Sequence, residues 1–420
     1  MTTQAAAIPR YSATSKWWIV VLLTLGCIVA YVDRVNLSFA IIDADFKGFF
    51  QISDTERGLV NSAFFWSYAA LQIPAGWLVD RYGSKYPLAI CFAVWSGLTA
   101  LAAFTTGFAG LFAVRLLLGV GEAIMQPASM RWIRYNFEEN RRGFAIGLYM
   151  SGTKFGPAIG SVLAALLIES YGWRAMFLIL GLAAMVWLPL WLWSVRDDRA
   201  TGTAAGQLAS AKGDAPMLTL LASPIILGVI IGTFAYMYFV YFCMTWMPAY
   251  LREARGLSLT SSGVYTTFSF AGMAIMSIAG GWLADRLIGA GRDAVAVRKG
   301  FTIAGFLLAS TEVLSPLLTS LDWALVVSIF SLTGLGLATA NYWALTQTLM
   351  PSGKTGRIIG IQNCAASVAG IVAPIITGWL VERTGGYAAA MQMVLFFLAC
   401  GIVAYVFLVR QRPRAPGMPA

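Results

Sequence analysis

The sequence predicts an all-α integral membrane protein, and three observations carry that prediction. Of 420 residues, 59% are hydrophobic and only 11% are charged, less than half the roughly 25% that a water-facing surface requires. The apolar residues gather into twelve long runs, each near the ~20 residues that cross a hydrocarbon core about 30 Å thick at ~1.5 Å per residue. One polar-ended string, Gly-Trp-Leu-x-Asp-Arg, also occurs twice, 205 residues apart. A soluble enzyme, a disordered chain and a nucleic-acid-binding domain are poor fits to this composition. The runs are continuously apolar, without the two-residue alternation of barrel strands, which excludes a transmembrane β-barrel.

The runs lie near 17–41, 58–79, 86–106, 108–132, 143–168 and 174–195, then 220–250, 261–284, 300–320, 323–350, 357–381 and 388–409. The Lys/Arg distribution orients them. Of 29 basic residues, 20 fall in the segments that share a side with the N-terminus, six fall on the other side, and Arg34, Arg115 and Lys154 lie within runs. Both termini are therefore expected in the cytoplasm. The net charge of +10 reads as topology and implies no nucleic acid. Met1–Lys16 is short and polar, and the first run leads into Asp33-Arg34 without a small-residue cleavage site, so it reads as a first span and not a removed leader. Five isolated cysteines and the absence of histidine indicate neither a disulfide framework nor a metal site.

Residues 196–217 form the longest polar stretch, rich in Ala, Gly and charge, and read as a cytoplasmic linker between a six-helix bundle over 1–195 and a second over 218–420. The halves share sequence. Gly76-Trp77-Leu78-Val79-Asp80-Arg81 closes the second span and Gly281-Trp282-Leu283-Ala284-Asp285-Arg286 closes the eighth, while Pro157 in the fifth is matched by Pro374 in the eleventh. A six-plus-six duplication is typical of transporters with a midplane binding site. There is no P-loop, no nucleophile–base set and no His or Cys cluster, so neither an ATP-driven pump nor a membrane enzyme is expected.

The stretch Gly76-Trp77-Leu78-Val79-Asp80-Arg81-Tyr82-Gly83-Ser84-Lys85 resembles the G-x-L-x-D-R-x-G-x-K/R loop signature of the major facilitator superfamily, and the resemblance extends over nearly the whole chain. It implies the major facilitator fold, with two pseudo-symmetric bundles. It also implies that Asp80, Arg81 and Lys85, with Asp285 and Arg286 in the second half, form a cytoplasmic gate. Tyr31-Val32-Asp33-Arg34-Val35-Asn36-Leu37 and Arg115-x-x-x-Gly119-x-Gly121-Glu122-Ala123 are more specific. They resemble the anion:cation symporter branch, which carries sugar acids, tartrate and aromatic carboxylates. Gly152-Thr153-Lys154-Phe155-Gly156-Pro157-Ala158-Ile159-Gly160 resembles a stretch of drug–proton antiporters, but its small residues also suit plain helix packing.

Ionisable residues inside spans are costly and mark functional sites by default. Five lie at central depth, all in the first half: Asp33, Arg34, Arg115, Glu122 and Lys154. Three bases and two acids leave a positive cavity. Arg34 is expected to hold a carboxylate through the paired N–H geometry that Lys lacks. Asp33 and Glu122 are the candidates for proton coupling, since no histidine is available. Arg115 and Glu122, seven residues apart, share a helix face about 10 Å apart along the axis. Arg115 is either an internal partner of Glu122 or another acid, or a substrate contact. Lys154 is either a neutralising partner or a second anion contact, which would suit a dicarboxylate. Glu312, toward the outer end of the ninth span, has no partner evident in the sequence. Tyr31 and Tyr68 in the first half are expected to complete the site, together with Trp343 and Asn363, which resemble family positions lining a sugar-acid site. Asn341 and Gln362 are further amide candidates, and Trp246, at a span end, reads as an anchor or gate.

The function expected is proton-coupled import of an organic anion by alternating access, with export or exchange as the alternative. The proton is the only coupling ion expected, with no cofactor. The partners expected are a small carboxylate and the bilayer, for a monomer in a bacterial inner membrane.

Overall fold

The computed structural model describes residues 11–196, 223–349 and 355–409; the expected linker, beyond Arg196, lies outside the described residues. Every regular element among those residues is helical. Ten helical segments are long and apolar enough to cross a membrane. One of them, Arg141–Ser194, has 54 residues, about 80 Å if straight, and holds two of the expected spans. The expected span 58–79 falls within a less apolar helix, Asp54–Tyr82, whose middle carries Asn61, Ser62, Ser67 and Gln72. The exterior is apolar as a lipid-facing surface must be: Ile73 is 85% exposed, Trp193 84% and Phe144 71%.

Two compact units are present. The first takes the described residues up to 196 together with Cys243–Phe270 and Ile371–Gly386. Its elements are α1 (Ala13–Ala40), α2 (Ala44–Phe50), α3 (Asp54–Tyr82), α4 (Lys85–Leu101), α5 (Phe108–Glu122), α6 (Met125–Asn136), α7 (Glu139–Ala184) and α8 (Trp187–Ser194). The helix starts follow local chemistry. Ser12 accepts from the Ser15 amide, Asp43 from Phe46, and Ser53 with Glu56 closes a reciprocal capping box, each satisfying amides that the first turn leaves without partners. α7 breaks at Gly172, whose φ of +81° is readily adopted only by glycine.

Glycine also sets how closely these helices approach. Along α7, Gly152, Gly156 and Gly160 face α1: a Cβ on Gly156 would lie 2.3 Å from the Tyr31 Cβ, and one on Gly160 3.0 Å from the Val32 Cα. The stretch that resembles an antiporter motif is thus the seam between the fifth and first spans. On α5, a Cβ on Gly119 would lie 2.2 Å from the Phe64 carbonyl oxygen and 2.3 Å from the Ser67 Oγ. Backbone contact at these points brings the charged positions of α1 and α5 and the rings of α3 together.

The second unit comprises the described parts of Ala215–Phe242, Ala271–Gly370 and Tyr387–Ala420. Its helices are α9 (Pro224–Thr245), α10 (Leu259–Gly289), α11 (Ala294–Ala309), α12 (Leu321–Leu349), α13 (Thr355–Thr384) and α14 (Ala388–Phe407). α9, α10 and α13 each also contribute residues to the first unit. A 3-10 segment, Ser310–Leu317, follows α11. Gly305 sits on the Ala338 backbone, where a Cβ would lie only 2.8 Å from the Ala338 amide nitrogen, and Phe306 meets Tyr405 at 5.9 Å between ring centroids.

Gly119→Ala must part α5 from α3. The expected penalty is about 1–3 kcal/mol, read as a lower thermal unfolding midpoint in detergent. Gly147→Ala places its Cβ in open space and is expected to leave the midpoint unchanged or slightly raised.

Candidate functional site

The charges of α1 and α5 meet inside the first unit. Arg34 is 5% exposed and Glu122 fully buried; the Arg34 Nε donates to the Glu122 Oε2 at 2.9 Å. Three rings close on the same guanidinium, with centroids 4.3 Å away for Tyr31, 4.6 Å for Phe64 and 4.7 Å for Tyr68. Ring faces attract a cation through their quadrupole without using its N–H groups. A planar donor fork is thereby oriented in an aromatic cleft, and one of its donors is committed to Glu122.

Arg115 does something different. Its Nη1 donates to the backbone carbonyl of Asp33 at 3.0 Å, tying α5 to α1 beside the Arg34 position. This contact is to a main-chain oxygen and not to the side chain of Glu122 or another acid. The Asp33 Oδ1 accepts from the Asn36 side-chain amide at 3.3 Å. The Asp33 Oδ2 and the Glu122 Oε1 make no hydrogen bond among the described residues. Each acid thus keeps one buried oxygen able to take a proton or accept a further donor. Lys154 is half-buried on α7 between Gly152 and Gly156, at the level of Cys27 and Tyr31 on α1. Tyr31 and Tyr68 are likewise half-buried, and Tyr68 stacks on Phe64 at 5.2 Å.

Trp343 and Asn363 belong to the second unit, where both are half-buried and Trp343 lies 5.2 Å from the Tyr342 ring. Tyr342 in turn packs on Tyr236, whose hydroxyl meets the Thr339 Oγ1 at 2.7 Å. Asn341 and Gln362, the other amide candidates, are fully buried. Asn341 donates to the Leu337 carbonyl at 2.9 Å and Gln362 to the Thr233 hydroxyl at 3.1 Å. The Asn341 amide also reaches the Gly280 carbonyl of α10 at 3.4 Å, and Gln362 ties α13 to α9, which leaves Asn363 as the most accessible of the three amides.

The repeated Gly-Trp-Leu-x-Asp-Arg strings share a local design. Arg81 lies over the Trp77 ring at 5.4 Å, and Arg286 lies over the Trp282 ring at 5.4 Å, an i,i+4 pair on one helix face in each case. Within the first unit the exposed Asp80 is 3.7 Å from the Nε of buried Arg131. Within the second, Asp285 is 3.0 Å from Arg298. Lys85 lies over Tyr86 at 5.4 Å. The gate residues expected from the resemblance are therefore seen in ion pairs and ring contacts, with Arg131 and Arg298 as partners that the signature does not name.

A second polar network closes the opposite end of the first unit, and sequence reasoning missed it. Arg57, counted among loop residues, is 5% exposed. It pairs with Asp54 and, at 3.1 Å, with Glu253; Lys47 also reaches Glu253. Trp246 is buried against the Arg57 guanidinium at 5.1 Å and donates to the Pro374 carbonyl at 3.2 Å. The Thr55 amide donates to Glu382 at 2.8 Å and the Thr260 amide to Glu169 at 2.9 Å. Backbones also touch: a Cβ on Gly58 would lie 2.4 Å from the Pro374 carbonyl oxygen, and one on Gly378 2.3 Å from that of Asp54.

The Major Facilitator Superfamily profile matches residues 23–374. The chain is 30% identical to a D-galactonate transporter of Escherichia coli, over 94% of this chain and 95% of that one. It is also 30% identical to a probable galactarate/D-glucarate transporter of Bacillus subtilis, over 96% and 94%. A solved structure of a bacterial homolog of the human lysosomal transporter Spinster, inward-facing and occupied, shares the fold with a TM-score of 0.80 at 17% identity, covering 96% of this chain and 100% of that one.

Arg57→Ala and Glu253→Ala each leave a partner charge with less compensation. A double-mutant cycle on thermal stability is expected to give a coupling of about 1–3 kcal/mol. Additivity within ~0.5 kcal/mol would show that the pair is decorative.

Proposed function

The chain belongs to the Major Facilitator Superfamily and is a multi-pass membrane transporter of organic anions, not an enzyme; we propose that it imports a sugar acid together with protons. In this reading twelve spans form two six-helix bundles joined by the 196–217 linker, with both termini in the cytoplasm of a bacterium and the chain in its inner membrane. The observation that carries the reading is the Arg34 guanidinium, buried in a cleft of three rings and paired with a buried acid. The names of the relatives, a galactonate and a galactarate/glucarate transporter, supply the substrate class.

The pairing dictates an order of events. While Glu122 is ionised it holds the Arg34 Nε, and an incoming carboxylate must compete with it. Protonating Glu122 removes the charge-assisted bond, which is about twice as strong as a neutral one, and frees the fork for a bidentate bond to the substrate. Loss of the proton restores the Glu122–Arg34 pair and expels the anion. An exchange in which the substrate carboxylate takes over Arg34 as Glu122 gains its proton, with joint release afterwards, is therefore the sequence that wastes least pairing energy, because it leaves neither buried charge without a partner. Asp33, one residue from Arg34 and with one unbonded carboxylate oxygen, is the second candidate proton carrier. Arg115 positions the α1 backbone between the two. Tyr31, Tyr68, Trp343 and Asn363 contribute ring faces and an amide for the hydroxyl-bearing carbon chain, and Lys154 answers a second carboxylate where there is one. The Asp80, Arg81, Lys85, Asp285 and Arg286 groups act in alternating access as the cytoplasmic gate, and the Arg57–Glu253 network as its counterpart on the other face.

Reconstituted into proteoliposomes, Glu122→Gln is expected to lose proton-driven accumulation of galactonate at least tenfold while retaining counterflow. Full accumulation in this variant would remove Glu122 from coupling. Arg34→Lys is expected to weaken substrate binding by about 100-fold, since Lys cannot reproduce the fork. With Lys154→Ala, galactarate binding should fall while galactonate binding holds; equal effects on both would end the second-cation role.

A further inference from the structure

Glu312 is a fully buried acid that the transport reading does not use. It lies in the 3-10 segment after α11 and is 0% exposed. Its hydrogen bonds run to hydroxyls: the Ser328 Oγ lies 3.1 Å from the Oε1, and the Ser331 Oγ lies 2.5 Å from the Oε2. Ser315, three residues after Glu312, extends the chain of contacts. Its Oγ is 3.1 Å from the Ser328 Oγ and 3.3 Å from the Ala324 carbonyl. Ser315 and Ser331 are 0% exposed and Ser328 is 3% exposed.

Charges on the elements packed around this turn are engaged elsewhere or face away. On α11, Arg298 pairs with Asp285 and Lys299 donates to the carbonyls of Val406 and Val409. On α12, Asp322 is exposed and Tyr342 packs on Tyr236. On α14, Cys400 is half-buried and Tyr405 meets Phe306. None of these groups is among the hydrogen-bond or ion-pair partners of Glu312.

Among the described residues the hydrogen-bond partners of Glu312 are serine hydroxyls and no cation pairs with it, and an ionised carboxylate removed from water is costly without a paired charge. Each serine has one hydroxyl hydrogen. The Ser331 Oγ is in contact both with the Ser328 carbonyl at 3.0 Å and with the Glu312 Oε2, and both are acceptors if the acid is ionised. One hydrogen serves both only if it is shared, whereas a neutral acid supplies a second. If Ser331 donates to the helix carbonyl, as serines inside helices commonly do, the contact to Oε2 needs its hydrogen from the carboxyl group. Ser328 then donates to Oε1, and every contact of Glu312 has a hydrogen. A metal ion is the alternative occupant of an all-oxygen cluster, but these oxygens already touch one another at hydrogen-bond spacing, so an ion would have to spread them.

We propose that Glu312 is a proton-binding site in which a neutral carboxylic acid bonds the 3-10 turn to α12, and that its proton is a fixed part of the fold, distinct from those exchanged at Glu122 and Asp33. The consequence for transport is that one of the buried acids is excluded from the proton count of the cycle.

Infrared difference spectroscopy of the full-length protein in lipid nanodiscs, wild type minus Glu312→Gln, tests the assignment. A carbonyl band of a protonated carboxyl group is expected in the wild type, lost in the variant, and equal in sodium and potassium buffers. Gln accepts and donates as the neutral acid does, so the variant should keep its thermal midpoint and its proton-driven uptake, whereas Glu312→Ala should lower the midpoint. Absence of the band, a sodium-dependent midpoint that Glu312→Gln abolishes, or loss of proton-driven uptake with counterflow retained would each overturn the proposal. The band is read without transport, so its outcome stands apart from that of the import reading.

Discussion

The arrangement of the first unit depends on one constraint: a guanidinium and a carboxylate removed from water must be held against each other. Desolvating the two charges costs several kcal/mol per ion even after relaxation, and the Arg34–Glu122 contact offsets this only if its geometry is kept. Several features that look independent serve that geometry. Gly119 lets α5 rest on the α3 backbone, so that Glu122 reaches across; Gly156 and Gly160 let α7 rest on α1, so that the helix bearing Arg34 cannot swing away. Arg115 fixes the carbonyl one residue before Arg34. The rings of Tyr31, Phe64 and Tyr68 fill the remaining angle around the guanidinium. A pair so constrained is a poor device for stability alone, since well-packed apolar residues would often do as well. It is a good device for recognising an anion, because the cation is already desolvated and oriented.

The two ends of the first unit are built differently. At the Asp80 end the pairing involves exposed groups, with Asp80 47% exposed against a buried Arg131, and such contacts contribute little and exchange readily. At the other end Arg57 is buried, shares two carboxylates and lies on Trp246, and glycine backbones touch the carbonyls of Pro374 and Asp54. That end is therefore the more firmly closed of the two. Opening it would separate a half-buried ion pair and a backbone seam together.

The apolar runs and the ionisable residues within them were legible because both stand out against composition. Twenty apolar residues in a row have few other uses, and a charge among them is conspicuous. Partners were less legible. The seven-residue spacing puts Arg115 and Glu122 on one helix face, yet Arg115 bonds the Asp33 carbonyl and Glu122 bonds Arg34, because the approach of α1 and not the helix period decides who is nearest. Arg57 and Glu253 are 196 residues apart, and nothing local links them. Asn341 and Gln362 read as ligands by residue type, but buried amides are equally suited to stapling helices, and burial is a property of the fold. Span counting shows the same limit: α3 carries Asn61, Ser62, Ser67 and Gln72 within its length, so hydropathy understates it.

The Ser328–Ser331–Glu312 cluster sharpens what an intramembrane acid signifies. Glu122 and Glu312 are both completely buried, and a rule that equates buried ionisable groups with transport would treat them alike. Their surroundings separate them. Glu122 faces the Arg34 cation, which in the proposed cycle a substrate carboxylate takes over, so its charge state is tied there to something that arrives and leaves. Glu312 faces hydroxyls that neither arrive nor leave, and as the neutral acid proposed it both accepts from them and donates to them. An acid takes part in coupling when its counter-ion has an alternative partner. Where no such competitor exists, the same side chain is a neutral hydrogen-bonding element of the fold.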